Sequence, residues 1–252
     1  MAIPIKNDEA IRKITVAGNI IYEIFKMISE MNLEGKCTID LNNQIDTWIR
    51  ERGGYPAFLN YRGFPRSCCI SINDEVVHGI PSDRVIRNGD LVKIDLGVKY
   101  QGYIADAART YPVGEISAEA RNLMVITKQA LKAGIAQARA GNHISDISRA
   151  IQETAESAGY SVVRELTGHG VGENLHEEPI IPNYLGPGSD PLIKPGMVLA
   201  IEPMVNMGGY EVCTAENGWT ITTMDNSLSC HFEDTIAILK NGILNTTRVG
   251  EN

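Results

Sequence analysis

Five residues of this chain have side chains suited to holding metal: Asp95, Asp106, His169, Glu202 and Glu233. Each stands in an apolar or glycine-rich stretch, where a charged or imidazole side chain needs a partner. Four carboxylates and one imidazole can hold two divalent cations side by side. Four negative charges drawn to one place repel one another unless a comparable positive charge is bound among them.

Asp95 and Asp106 flank Tyr100-Gln101-Gly102, a turn signal between two apolar runs, which predicts a hairpin with 95 opposite 106. Side chains so paired sit about 5 Å apart, and bridged metal pairs about 3.5–4 Å apart. Spacing alone leaves open two surface aspartates on a solvent-facing hairpin. The apolar neighbours Ile94, Leu96 and Ile104 argue against that. Further on, His169 and His176 stand among Gly168, Gly170, Gly172, Glu177 and Glu178. Alternating glycines exclude a stable helix and permit a tight backbone. One histidine is more often a surface or core residue than a ligand; two in a glycine-rich loop beside two glutamates point to a site. His78, in Val77-His78-Gly79-Ile80-Pro81, is a third. Glu202 ends an apolar run and precedes Pro203, which places it at a strand end. Glu233 follows Phe232 in another strand-like stretch. For either glutamate alone, a salt bridge at a sheet edge is the competing explanation.

The elements that must position these residues follow from periodicity. Helices are predicted at 8–33, 38–52, 117–140 and 144–158, and strands near 67–73, 90–98, 103–111, 161–165, 196–202, 219–223 and 232–239. An internal repeat underlies this order. Ile45 and Ile49 follow Leu41 as Ile151 and Ala155 follow Ile147, each a helix stripe closed by a glycine, Gly53 or Gly159. Likewise the run from Gly89 to Asp95 matches that from Gly196 to Glu202, so that a carboxylate closes each strand. The expectation is one catalytic domain over 1–252 with pseudo-repeats at about 5–112 and 115–247, of α+β class, its helices packed on a largely antiparallel sheet.

Bulk properties exclude several classes. A net charge of −8 and a pI near 5.2, without a basic run, predict no stable nucleic-acid binding. No apolar stretch reaches the length of a membrane span, and the N-terminal segment lacks the apolar core of a secretory signal. The five cysteines form no CxxC pair, and reduced thiols in the cytoplasm account for them.

Taken in order, the motifs resemble those of the methionine aminopeptidase family, type I. They are the stretch from Asn73 to Pro81, the pair Asp95 and Asp106, Gly168 to Gly172 with His176 to Pro179, Ile201-Glu202-Pro203, and Phe232-Glu233-Asp234-Thr235. Only 33 residues separate His169 from Glu202, which leaves no room for the helical insertion of type II. The resemblance implies the pita-bread fold, two pseudo-symmetric halves around a dinuclear site. It implies two divalent ions (cobalt, manganese, iron or zinc), with Asp106 and Glu233 bridging, Asp95 completing one ion, and His169 and Glu202 the other. It implies Glu202 as proton shuttle, His176 as the group facing the oxyanion, and His78 in contact with the scissile amide. Tyr61, Phe64, Cys69 and Trp219 match the family's methionine pocket, and a monovalent cation is implied near Asn73 and Ser229. Phe58, Phe64 and Leu175 depart from the commoner residues of that pocket, and Asp234 stands where a histidine is frequent, which implies altered tuning around the metals.

The implied substrates are nascent polypeptide N-termini with a small second residue, met at the ribosome by a cytoplasmic monomer. Two rivals remain. Proline-specific aminopeptidases or prolidases share the ligands but carry a large N-terminal domain, whereas here the first repeat takes up the residues before Asp95. A non-catalytic binding protein of the same fold would have lost ligands, and none is missing.

Overall fold

A computed structural model of the chain describes residues 2–248; of the expected domain span, Met1 and 249–252 lie outside the described residues. Helix α1 (Asp8–Ser29) starts where Asn7 Oδ1 accepts the Ala10 amide at 2.9 Å and where Asp8 and Glu9 favour the positive end of the helix dipole. It stops four residues short of the expected end. Helix α2 (Thr38–Glu51) buries the predicted stripe Leu41, Ile45 and Ile49. Strands β1 (Tyr55–Pro56), β2 (Cys69–Ile72), β3 (Glu75–Val77), β4 (Leu91–Tyr100) and β5 (Tyr103–Pro112) follow.

The order of two helices then strands recurs. Ser117 caps α3 (Ala118–Gln137), and α4 (Ile144–Glu156) buries Ile147, Ile151 and Ala155. The strands after them are β6 (Ser161–Val162), β7 (Thr167–Gly170), β8 (Glu177–Pro182), β9 (Val198–Ile201), β10 (Met204–Asn206), β11 (Val212–Thr214), β12 (Ile221–Thr223), β13 (Ser229–His231), β14 (Asp234–Leu239) and β15 (Gly242–Asn245).

Two sheets carry the site. In one, β4 pairs with β1, β2 and β5; the other runs β15-β14-β9-β7-β8, and every pairing in both is antiparallel. Ile94, Leu96 and Val98 of β4 pack with Ile21 and Ile24 of α1, so the alternate residues Lys93, Asp95 and Gly97 face the other way. A second core joins α3 and α4 to Leu199, Ile201, Ile236 and Ile238.

Three expectations need correction. The glycine-rich stretch is not a loop at its start: Thr167–Gly170 is strand β7, squeezed between β8 and β9. A Cβ on Gly168 would meet the Ala200 carbonyl oxygen at 2.5 Å, so the glycine is what lets the strands approach. Second, β4 continues through Asp95 to Tyr100, so Asp95 lies mid-strand and only Glu202 follows a strand end. Third, the short strands β1, β3, β8, β10, β11, β13 and β15 had no expected counterpart. All but β8 run two to four residues, too short to show a two-residue period, and in β8 two prolines, Pro179 and Pro182, mask the strand signal.

Candidate metal centre

The hairpin turns at Gln101-Gly102 as expected, but its register differs from the expected one. Tyr100 pairs with Tyr103, so Asp95 lies opposite Ala108 and Asp106 opposite Gly97. Asp95 and Asp106 are therefore diagonal neighbours on one face, within reach of each other's side chains. Glu233 arrives beside them from far along the chain, just before β14. Its amide donates to Ala108 O at 3.0 Å, and the Ala108 amide donates back at 3.4 Å. His169 comes from β7, and its Nδ1 meets Gly170 O at 2.9 Å, which turns Nε2 toward the carboxylates.

The five expected ligands thus converge. His169 Nε2 lies 3.5 Å from Glu202 Oε1 and 3.9 Å from Asp106 Oδ2. Asp106, His169 and Glu233 form one group whose ligand atoms all lie within 4.8 Å of one another; Glu202, His231 and Glu233 form a second. The groups share Glu233. Asp95 belongs to neither group, although its carboxylate interacts with that of Asp106.

Electrostatics show that these side chains fit cations. Burial first, then Glu202, pushes Asp95 up to about 7, and burial pushes Glu202 up to about 7. Burial and the neighbouring carboxylates drive Asp106 and Glu233 well above the usual range. Asp95 Oδ1, Asp106 Oδ1 and Glu233 Oε1 are buried without a hydrogen-bond partner. Unanswered buried acceptors are costly, and divalent ions would supply both the missing partners and the positive charge.

The cluster forms the floor of a cavity of about 300 Å³ whose lining includes Tyr61, Phe64, Cys69, His78, His176 and Trp219. Phe64 meets Trp219 edge-on at 5.2 Å between ring centres. Phe58 and Leu175, two of the three departures from the commoner pocket, line it as well. Burial pushes the Cys69 thiol well up, which keeps it neutral and apolar in character. His176 stands 4.3 Å from the His169 ring, and its Nδ1 meets the Tyr61 hydroxyl at 2.8 Å. Burial and then His169 lower His176 to about 3; burial and then His231 lower His78 to about 4. Both imidazoles are neutral at pH 7.

Sequence reasoning missed His231. This residue is 1% exposed, and its Nε2 lies 3.5 Å from Glu202 Oε2 with no hydrogen-bond partner. The signal was its place two residues before Glu233, on the same face of an extended chain. Asp234 corrects the opposite way. Strand alternation turns its carboxylate from the cluster to Arg109 and Arg248, at 2.7 Å each. It acts on the site through its charge, which helps raise Glu233, and through Arg109, which also donates to the Glu233 carbonyl at 2.5 Å. At the place expected for a monovalent cation, the Asn73 and Ser229 carbonyls both accept from Lys93 Nζ, at 2.7 and 2.9 Å.

Known proteins resemble this chain in sequence and fold. Residues 12–240 match metallopeptidase family M24. The chain is 48% identical over 241 residues to a methionine aminopeptidase of Clostridium acetobutylicum, covering 95% of this chain and 96% of the relative. It is 45% identical to methionine aminopeptidase 1 of Bacillus subtilis, over 92% of this chain and 94% of that protein. Its structure is similar to that of a methionine aminopeptidase from Thermotoga maritima, with TM-score 0.95 and 40% identity over 98% of this chain and all (100%) of the other. Similarity to the prolidase from Pyrococcus furiosus is lower, with TM-score 0.80 and 28% identity over 98% of this chain but 66% of that one.

Proposed function

This chain belongs to metallopeptidase family M24, and we propose that it removes the N-terminal methionine from polypeptides whose second residue is small. It is an aminopeptidase and a hydrolase with the pita-bread fold of its relatives. The Thermotoga maritima aminopeptidase matches along its whole length, whereas about a third of the Pyrococcus furiosus prolidase lies outside the match. The observation that carries the proposal is the four-carboxylate, two-histidine cluster, with its partnerless buried oxygens, at the floor of an apolar-sided cavity.

Divalent ions bound there supply Lewis acidity toward water and toward the scissile carbonyl. Asp95, Asp106, His169, Glu202 and Glu233 are the residues that would hold them, and His231 lies beside Glu202. Everything else is done by the chain. Glu202 holds the proton of the attacking water and passes it to the leaving amine. The Tyr61 hydroxyl occupies Nδ1 of neutral His176 at 2.8 Å, which leaves Nε2 as the nitrogen to face the developing oxyanion; that role requires the Nε2–H tautomer, in which Tyr61 is the donor. His78, also neutral, faces the cavity to contact the scissile amide. Tyr61, Phe64, Cys69 and Trp219 enclose the methionine side chain, whose sulfur packs well against ring edges.

The substrates are N-termini of newly made polypeptides, met in the cytoplasm by a monomer near the ribosome. The two helix–helix–strand halves, about 5–112 and 115–247, descend from one duplicated unit and place the cluster at their seam. A peptide panel tests the activity. Release of methionine from Met-Ala-Ser with no cleavage of Xaa-Pro peptides is expected; the reverse pattern would make the chain a proline-specific peptidase.

A further inference from the structure

Lys93 is among the largest fully buried side chains, 1% exposed, on a strand whose neighbours Val92 and Ile94 are both 0% exposed. A buried ammonium is costly unless it is paired or fully hydrogen-bonded. No carboxylate forms an ion pair with it among the described residues, and Glu75 and Asp74 act on it only at longer range. Its Nζ donates instead to two main-chain carbonyls, Asn73 at 2.7 Å and Ser229 at 2.9 Å. Converging carbonyl oxygens are the donor set that replaces the hydration shell of a hard monovalent cation. The lysine ammonium is itself a compact point charge on a flexible stem.

Other bonds of the protein hold these carbonyls in place. Asn73 has a left-handed backbone, with φ +58°. Its side chain is fully engaged, with Oδ1 accepting the Leu91 amide at 2.9 Å and Nδ2 donating to Asp90 at 2.8 Å. The Ser229 amide donates to Asn73 O at 3.1 Å, which aligns the two carbonyl-bearing segments. Three parts of the chain meet here. Lys93 lies two residues before Asp95 on the same face of β4, the Asn73 turn leads through β3 to His78, and Ser229 opens β13, which leads through His231 to Glu233.

We propose that the Lys93 ammonium is a tethered monovalent cation. It fills the carbonyl site that would otherwise take sodium or potassium, and it fixes β4 to the Asn73 turn and to β13. Asp95 is thereby held in register with His78 and Glu233 by the chain itself, and the protein needs no added monovalent ion. Lys93 is a positioning residue, since it touches none of the proposed metal ligands.

Thermal unfolding of the metal-loaded protein tests this independently of the peptidase assignment. Melts are compared in potassium, sodium and tetramethylammonium chloride at equal ionic strength; the last ion is too large for the site. The wild-type midpoint is expected to be the same in all three. Lys93→Ala takes the ammonium from both carbonyls, leaving Asn73 O with only the Ser229 amide, and should lower the midpoint by about 5–15 °C in tetramethylammonium. Potassium or sodium should recover most of that loss, together with manganese affinity measured by calorimetry. Lys93→Met, which fills the space but donates nothing, should fall and not recover. A wild-type midpoint that rises in potassium over tetramethylammonium overturns the proposal, and so does a folded Lys93→Ala that does not distinguish the three salts. If Lys93→Ala does not fold, the wild-type comparison alone decides.

Discussion

The Thr235 hydroxyl grips the backbone of Asp106 twice, accepting its amide at 2.9 Å and donating to its carbonyl at 2.7 Å. Both residues are buried, and they lie on strands of the two halves, 129 positions apart in the chain. With the paired bonds between Glu233 and Ala108, this grip sets the two proposed bridging carboxylates side by side. Thr235→Val keeps the shape and removes both bonds. It should cost about 1–3 kcal/mol of stability in urea unfolding, because a buried amide and carbonyl lose their partner. Thr235→Ser should stay close to wild type; equal losses in the two variants would mean the hydroxyl does no work.

Asp106→Asn should lose both divalent ions together. Metal content after dialysis should fall from two per chain toward none, with activity falling in step, because an amide brings no charge to two cations. Normal activity in this variant would remove the dinuclear centre from consideration.

Chelated protein should be least stable at high pH. Asp95 and Glu202 have folded-state values near 7, above their ordinary 3.8 and 4.5, and Asp106 and Glu233 are raised further. Between those limits the folded state binds more protons than the unfolded state. The contribution is therefore present below about pH 4 and lost as pH rises through 7. Melts of chelated protein should fall from pH 5 to 8, while metal-loaded protein, whose carboxylates are neutralised by cations, should change far less. A flat apo profile would mean that the carboxylates are not held together without metal.

His231→Ala should weaken divalent binding by about 10–100-fold, the effect expected of a group that bonds or orients a ligand. Calorimetric titration with manganese reads this directly. An unchanged affinity would leave His231 as a buried neutral residue with no part in the centre.

His176→Ala should lower kcat by about 10²–10³-fold with little change in KM, as removal of an oxyanion donor does. Tyr61→Phe should lower kcat less, since it frees the tautomer without deleting the imidazole. A change confined to KM in both variants would place His176 in substrate binding only.

The five candidate ligands could be read from the chain because each is a polar residue set in apolar or glycine-rich surroundings, and that contrast is local. The helix stripes were equally legible, since Leu41, Ile45 and Ile49 repeat with the helix period and bury together. Helix ends and short strands were not. The end of α1 at Ser29 and strands of two or three residues depend on neighbours far along the chain.

By itself, then, the sequence determined which five residues are candidate ligands, which helices form, and that a hairpin carries two aspartates, because residue type and period act locally. Only the tertiary structure decided where those aspartates stand. The pairing of Tyr100 with Tyr103 makes Asp95 and Asp106 diagonal, where the expected register made them opposite. Tertiary structure also brought in His231 and turned Asp234 away from the centre toward Arg109. It seated Lys93 on carbonyls 20 and 136 positions away. Those outcomes depend on strand register and on contacts between distant segments, and no local pattern encodes either.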